Sequence, residues 1–174
     1  SVNLTYEDGK LLRALTRGDG TQGDNITNNI KTIRSVPIKL NNNIINKFEI
    51  RGEIIIRNDS FKKLNRKREK LGEPLFKNPR NTASGSIKLL DSDEVARRPL
   101  QCFLYSIVSD QIKTKNHSEL LKVAREMGFD VPKYERVVDG LNGVRDYIDF
   151  WDKNKSSLPF EIDGIVIKIN NIDF

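Results

Sequence analysis

At 174 residues the chain is long enough to bury one substantial core, and it reads most simply as a single domain over residues 1–174. It carries 30 Lys and Arg against 24 Asp and Glu, a net charge of +6, and nine basic residues against three acidic ones crowd into residues 58–88. A single Cys and a single His exclude a structural zinc site supplied by this chain alone, and no apolar run approaches the ~18 residues of a membrane span. The basic cluster is the footprint expected for a polyphosphate partner, although a solvated helix face has the same composition. The first residue is Ser and no secretory signal follows it, so the chain reads as a soluble segment of a longer protein.

Val2, Leu4 and Tyr6 alternate with polar positions, Asp8-Gly9 is a type I′ turn pair, and Leu12, Ala14 and Thr16 resume the alternation. A β-hairpin is therefore predicted to open the chain. It leads into Thr16-Arg17-Gly18-Asp19-Gly20-Thr21-Gln22-Gly23-Asp24, where glycines allow backbone amides close to a phosphate, though such a loop is more often only a turn. Asp24 is the expected N-cap of a helix with Ile26, Ile30 and Ile33 on its buried face and Pro37 beyond its end. A turn is expected at Asn41-Asn42-Asn43.

Phe48, Ile50, Ile54 and Ile56 share one face of the next predicted strand, and Arg51, Glu53 and Ile55 the other. Glycine weakens a strand interior, so Gly52 marks a close approach by a ligand or another backbone. Asn58-Asp59-Ser60 then caps a helix with Phe61, Leu64 and Leu71 as its buried stripe, Gly72 and Pro74 as its stop, and Lys62, Lys63, Arg66, Lys67, Arg68 and Lys70 around the rest. Asn78-Pro79 is turn chemistry, and the small residues that follow suit a short helix packed closely on another surface, with Arg80 and Lys88 flanking it. The run around Cys102, apolar on both faces, reads as a central strand with Cys102 as a reduced core thiol.

Helices are predicted over about 118–127 and 141–153. Leu120, Leu121, Ala124 and Met127 form the apolar stripe of the first, with His117 near its cap, and Leu141, Val144, Ile148 and Trp151 that of the second, with Trp151 read as core. The last stretch, residues 160–170, is dense in β-branched residues and predicts a strand with Lys168 embedded in it. An unpaired ammonium inside an apolar strand is costly, so Lys168 needs an anion or water beside it. With the Gly52 strand it suggests two walls of one pocket, with Lys168 offered to an anion and Glu53 to a hydroxyl or a metal ion.

Thr16-Arg17-Gly18-Asp19-Gly20, Arg51-Gly52-Glu53, Asn78-Pro79-Arg80-Asn81 and Glu161-Ile162-Asp163-Gly164-Ile165-Val166-Ile167-Lys168, in this order, resemble the adenylation domain of bacterial NAD-dependent DNA ligases. The resemblance covers nearly the whole chain. It implies an α+β nucleotidyltransferase, ATP-grasp-like fold, with mostly antiparallel sheets and packed helices around a nucleotide cleft. It implies a cytoplasmic, monomeric enzyme that uses NAD and Mg to seal nicked duplex DNA. Carried onto matching positions, Arg17 would contact the nucleotide, Glu53 its ribose or a magnesium-bound water, and Lys168 the adenylyl phosphate. Asp163 matches a catalytic acid, and Arg80 would serve the nucleotide or nicked-DNA steps. Lys62, Lys63, Arg66 and Lys67 are the candidate DNA contacts outside these motifs.

Two departures follow from the same resemblance. The family carries its nucleophile in a Lys-x-Asp-Gly motif before the hairpin, and no such motif occurs here. Arg17-Gly18-Asp19-Gly20 mimics it, but a guanidinium stays protonated and cannot be that nucleophile. The lysine is therefore expected upstream of Ser1, as is the nicotinamide-gripping module, with the last lysine motif and the DNA-encircling domains downstream, and these residues alone are expected to be inactive. Lys88 stands where the family more often has arginine, keeping the charge but losing the bidentate fork for phosphate. Two other readings fit the composition: a nucleotide- or nucleic-acid-binding module without ligase chemistry, and, more weakly, an ATP-dependent ligase or capping enzyme.

Overall fold

The computed structural model describes residues 1–40, 42 and 45–173. Four antiparallel strands, β1 (Val2–Glu7), β2 (Lys10–Thr16), β3 (Lys47–Ile56) and β4 (Leu100–Val108), form one sheet in the order β2-β1-β3-β4. The hairpin turns where its sequence predicts, with Asp8 and Gly9 at φ of 49° and 71°, the paired positive values that let a two-residue turn match the twist of its strands. A register shift between Thr5 and Tyr6 nevertheless accompanies a broken alternation in β2: Leu11 is buried and Leu12, expected on the face of Ala14 and Thr16, is exposed. The Asn41 and Asn43 positions of the predicted turn lie outside the described residues.

Alternation sends one face of the sheet into a continuous apolar core. Leu4, Tyr6, Phe48, Ile50, Ile56, Cys102 and Leu104 are essentially inaccessible, and each large aliphatic among them contributes about 1.5–3 kcal/mol. Tyr6 stacks on Phe48 at 5.1 Å and meets Phe129 edge-on, while its hydroxyl donates to Pro37 O at 2.6 Å. Burial pushes both the Tyr6 phenol and the Cys102 thiol upward, so Cys102 is the reduced, unreactive core thiol expected of it.

Three expectations about elements need correction. The Cys102 strand, β4, is at the edge of the sheet, not its centre. Its outer backbone is nevertheless satisfied, with Cys102 N–H donating to Ser35 Oγ and Leu104 N–H to Asp130 O, so it reads as a buried strand from composition alone. The helix expected after Asp24 shrinks to α1 (Thr27–Ile30), which has no side-chain cap, although Ile26, Ile30 and Ile33 are all buried. Residues 161–169 form no strand: they run alongside no paired backbone among the described residues, and Val166, Ile167 and Ile169 are 80%, 61% and 70% exposed. Their end is tied down by His117 N–H to Asn170 O and Ser118 N–H to Asn170 Oδ1.

α2 (Asn58–Lys70) presents Phe61, Leu64, Asn65 and Arg68 as a half-buried stripe, the i, i+3, i+4, i+7 pattern of a helix laid on a surface. Leu71, expected in that stripe, is exposed. Asn58 makes no side-chain cap; it binds the 158–159 turn through Pro159 O and Leu158 O. α3 (Pro79–Ser86) starts as its sequence predicts, with Pro79 at the first turn and Asn78 Oδ1 accepting from Asn81 N–H at 2.7 Å. Its small residues Thr82, Ala83 and Ser86 are buried against the sheet side that carries the core.

α4 (Ser92–Ala96) is short and capped by Asp91, and α5 (His117–Glu126) buries Leu120, Leu121 and Ala124 as predicted. α6 (Gly140–Asn154) forms where its periodicity predicts but buries no residue, leaving Leu141 76% exposed. Trp151 is half-buried and holds the helix through aromatic contacts, edge-on to Tyr134 at 5.5 Å, while Phe160 bridges Tyr134 to Phe103 on β4. Periodicity says which residues share a face; it does not supply the surface that covers them.

Candidate nucleotide site

The sheet face opposite the core carries Asn3, Arg51, Glu53, Phe103 and Tyr105, and its geometry is set by an irregularity between Arg51 and Gly52. Arg51 pairs with Ser106 and Gly52 with Leu104, so Tyr105 is an extra residue bulged out of β4. Bulges re-aim side chains, and this one needs Gly52 opposite it. A Cβ there would lie 2.5 Å from Phe103 O and 2.6 Å from Leu104 Cδ2. The close approach expected at Gly52 is thus by the neighbouring backbone.

Tyr105 gathers the candidate residues. The Lys168 ammonium lies over its ring, 5.6 Å from the centroid, and its hydroxyl lies 3.2 Å from Ser1 Oγ. The Ser1 backbone nitrogen lies 2.9 Å from Glu53 Oε1, and the Ser1 carbonyl accepts the Arg17 N–H. Glu53, Lys168 and the start of the glycine loop therefore meet at one end of the sheet. Lys168 reaches this position from the exposed extended segment, not from a strand. Partial desolvation, and secondarily the Arg51 charge, lower its pKa below the ordinary lysine value.

The glycine loop is ordered by its own acid. Asp19 Oδ1 accepts from Thr21 N–H, Thr21 Oγ and Gln22 N–H, each at 2.8 Å, and these bonds hold its pKa at about 2. Gly18, with φ of 55°, closes the turn; a Cβ at this position would meet Gln22 O at 1.6 Å. Asp24 works at the far end of the loop, where it exchanges hydrogen bonds with Thr16 and pairs with Lys88 Nζ at 2.8 Å. That pairing, first through the hydrogen bond and then through charge, lowers the Asp24 pKa. Lys88 is thus partnered by a carboxylate beside a cavity of about 710 Å³ lined in part by Asp24, Asn25, Asn28 and Leu90, away from Lys168.

Arg80 and Asp163 are brought together directly. Their side chains pair at 2.5 Å, joining α3 to the 161–169 segment across 83 residues of sequence, and both are largely exposed. Lys62, Lys63, Arg66 and Lys67 project from the solvent face of α2 and make no ion pair among the described residues. No cluster of three or more His, Cys, Asp or Glu side chains among the described residues could hold a metal ion.

Sequence reasoning missed Tyr105. Its one signal was an aromatic hydroxyl in a strand read as buried on both faces. Arg51 was placed on the charged face of its strand but given no role.

The profile of the NAD-dependent DNA ligase adenylation domain matches residues 1–174. A DNA ligase of Flavobacterium psychrophilum is 53% identical over 172 residues, covering 99% of this chain and 26% of that protein. One from Christiangramia forsetii is 53% identical over 171 residues, 98% of this chain and 26% of the relative, and one from Parabacteroides distasonis 46% identical over 173 residues, with 99% and 26% covered. The chain spans about a quarter of the length of these relatives. A family match over every residue leads to one assignment: this chain belongs to the NAD-dependent DNA ligase adenylation domain family.

Proposed function

We infer that these residues form the AMP-holding part of a nucleotidyltransferase-fold ligase that takes its adenylyl group from NAD and seals nicks in duplex DNA. The observation that carries this reading is the meeting of Lys168, Glu53 and the Arg17 loop around Tyr105. In the reaction a lysine amine displaces nicotinamide mononucleotide from the adenylyl phosphorus. AMP then passes to a DNA 5′-phosphate, and the 3′-hydroxyl of the nick displaces AMP. No Lys-x-Asp-Gly lies within the 174 residues, so the nucleophile is assigned to a part of the protein outside them.

The residues present bind and orient. Lys168 offers a cation to the adenylyl phosphate, where negative charge must be held as the phosphorus is attacked. Glu53 offers a carboxylate to the ribose. Magnesium binds through one or two carboxylates plus substrate phosphates, and Glu53 would be its carboxylate here, which suits a site with no preformed metal cage. Asp163 and Arg80 act as a pair, with Arg80 available to a phosphate once Asp163 releases it.

The test is the intact mass of this chain and of the full-length ligase after incubation with NAD and magnesium. An AMP adduct on the full-length protein alone is expected. An adduct on the 174 residues would mean that an internal lysine is the nucleophile. No adduct on either would favour a binding module without ligase chemistry.

The exposed basic face of α2 supports binding to the DNA backbone. Reversing Lys62, Lys63, Arg66 and Lys67 is expected to weaken binding of the full-length protein to nicked duplex. The plot of log affinity against log salt should flatten by about 0.9 for each phosphate that is no longer neutralised. An unchanged slope would make that face a solvated one.

A further inference from the structure

Among the described residues, Arg51 is a cation without a carboxylate partner on the sheet face that carries Glu53. It lies two residues before Glu53 on the same face of β3, opposite Ser106, the residue next to the bulged Tyr105. On its other side it faces Asn3 of β1, whose buried Oδ1 has no hydrogen-bond partner although its Nδ2 donates to Glu49. The guanidinium therefore leaves a nearby acceptor unused. It lies close enough to Lys168 for the two charges to repel. Neither Arg51 nor Lys168 takes part in an ion pair among the described residues.

A solvated arginine on an open sheet face is ordinary. Two like charges close enough to repel, one over the Tyr105 ring and the other opposite Ser106 beside it, with no carboxylate paired to either, are not. Glu53, the acid on the same face, is turned toward the Ser1 backbone nitrogen. Repulsion of this kind becomes attraction when an anion enters between the two cations. A guanidinium grips two phosphate oxygens in its planar fork, whereas an ammonium is a compact point charge, so the two side chains complement each other on a single phosphoryl group.

We propose that Arg51 is a further phosphate-binding residue of the nucleotide site, closing with Lys168 on the adenylyl phosphoryl group. The proposal rests on the reading of Lys168 as a phosphate ligand. It makes the phosphate, rather than the nucleoside, the part of the nucleotide that Arg51 senses.

The experiment compares AMP with adenosine, which lacks the phosphate, by calorimetric titration of full-length ligase freed of bound AMP. Arg51→Ala is expected to weaken AMP about tenfold or more while changing adenosine less than about twofold, because only the charge-assisted bonds to phosphate disappear. Arg51→Lys should recover part of that affinity, since the charge returns without the fork. Arg51→Gln, read in parallel, keeps the aliphatic stem and ensures that weaker packing cannot imitate missing charge. An unchanged AMP affinity, or an equal weakening of AMP and adenosine, would overturn the proposal. Lys168→Ala separates the two layers: if it weakens AMP and Arg51→Ala does not, only the Arg51 assignment fails. If Lys168→Ala also leaves AMP unaffected, the phosphate site itself is misplaced and both readings fall.

Discussion

Replacing Lys168 with alanine in the full-length ligase is expected to slow AMP transfer from NAD by at least about 10²-fold, the effect typical of removing one preorganised group that holds transition-state charge. The fold should be indifferent. Lys168 sits in an exposed extended segment, makes no ion pair among the described residues, and touches the rest of the site through the face of Tyr105. Surface substitutions of this kind stay within about 0.5 kcal/mol, so the melting temperature should not move. A gel assay of the adenylated protein reads the rate, and full AMP transfer by the variant would refute the role given to Lys168.

The same lysine is expected to set a pH dependence for nucleotide binding. The ammonium is the form that attracts phosphate, while desolvation and then Arg51 favour the neutral amine in the empty site. As pH rises, AMP affinity should therefore begin to fall below the pH at which an ordinary lysine loses its proton. In Lys168→Arg the guanidinium stays charged, and that alkaline decline should disappear. Titration of AMP binding across alkaline pH measures both. An identical pH profile for the two proteins would show that another group controls it.

Gly52→Ala is expected to destabilise the chain by about 3 kcal/mol, near the upper end for overpacking, because the new methyl meets backbone. Its Cβ would stand 2.5 Å from Phe103 O, 2.6 Å from Leu104 Cδ2 and 3.2 Å from Cys102 Sγ. A side-chain carbon can rotate away. The Phe103 carbonyl cannot retreat without opening the β3–β4 pairing, in which Glu53 stands opposite Phe103. The cost is structural and functional together, since the bulge that aims Tyr105 at Lys168 depends on the same close approach. Gly85→Ala is the control: nothing lies within 4 Å of a Cβ there, and in α3 the change should stabilise by about 0.5–1 kcal/mol. Urea unfolding followed by circular dichroism measures both variants, and equal midpoints would remove the packing argument.

Much of this architecture was legible locally. Alternation and Asp8-Gly9 predicted the hairpin, Gly72 stops α2 with a positive φ of 68°, and Asn78-Pro79 starts α3 as written. Each signal acts within a few residues, where backbone geometry and a neighbouring side chain decide the outcome. The family was legible too, from the order of the motifs that contain Arg17, Glu53, Arg80, Asp163 and Lys168. Their partners were not. Asp24 has the signature of a helix cap because an acid before a helical period usually is one, yet the helix starts only at Thr27 and the Asp24 carboxylate is held by Thr16 and by Lys88, 64 positions along.

Residues 161–169 have the composition of a strand, but a strand exists only where another backbone pairs with it, and composition cannot supply that neighbour. Tyr105 joins the candidate site through a single extra residue in β4, and Arg51 comes to face a second charge through the arrival of Lys168 from the far end of the chain. The sequence by itself determined which residues carry charge, which faces are apolar and where most elements start and stop, because these depend on neighbours along the chain. The tertiary structure alone decided which carboxylates are already taken, which cations are left unpaired and which ring Lys168 lies over, because these depend on contacts made across tens of residues.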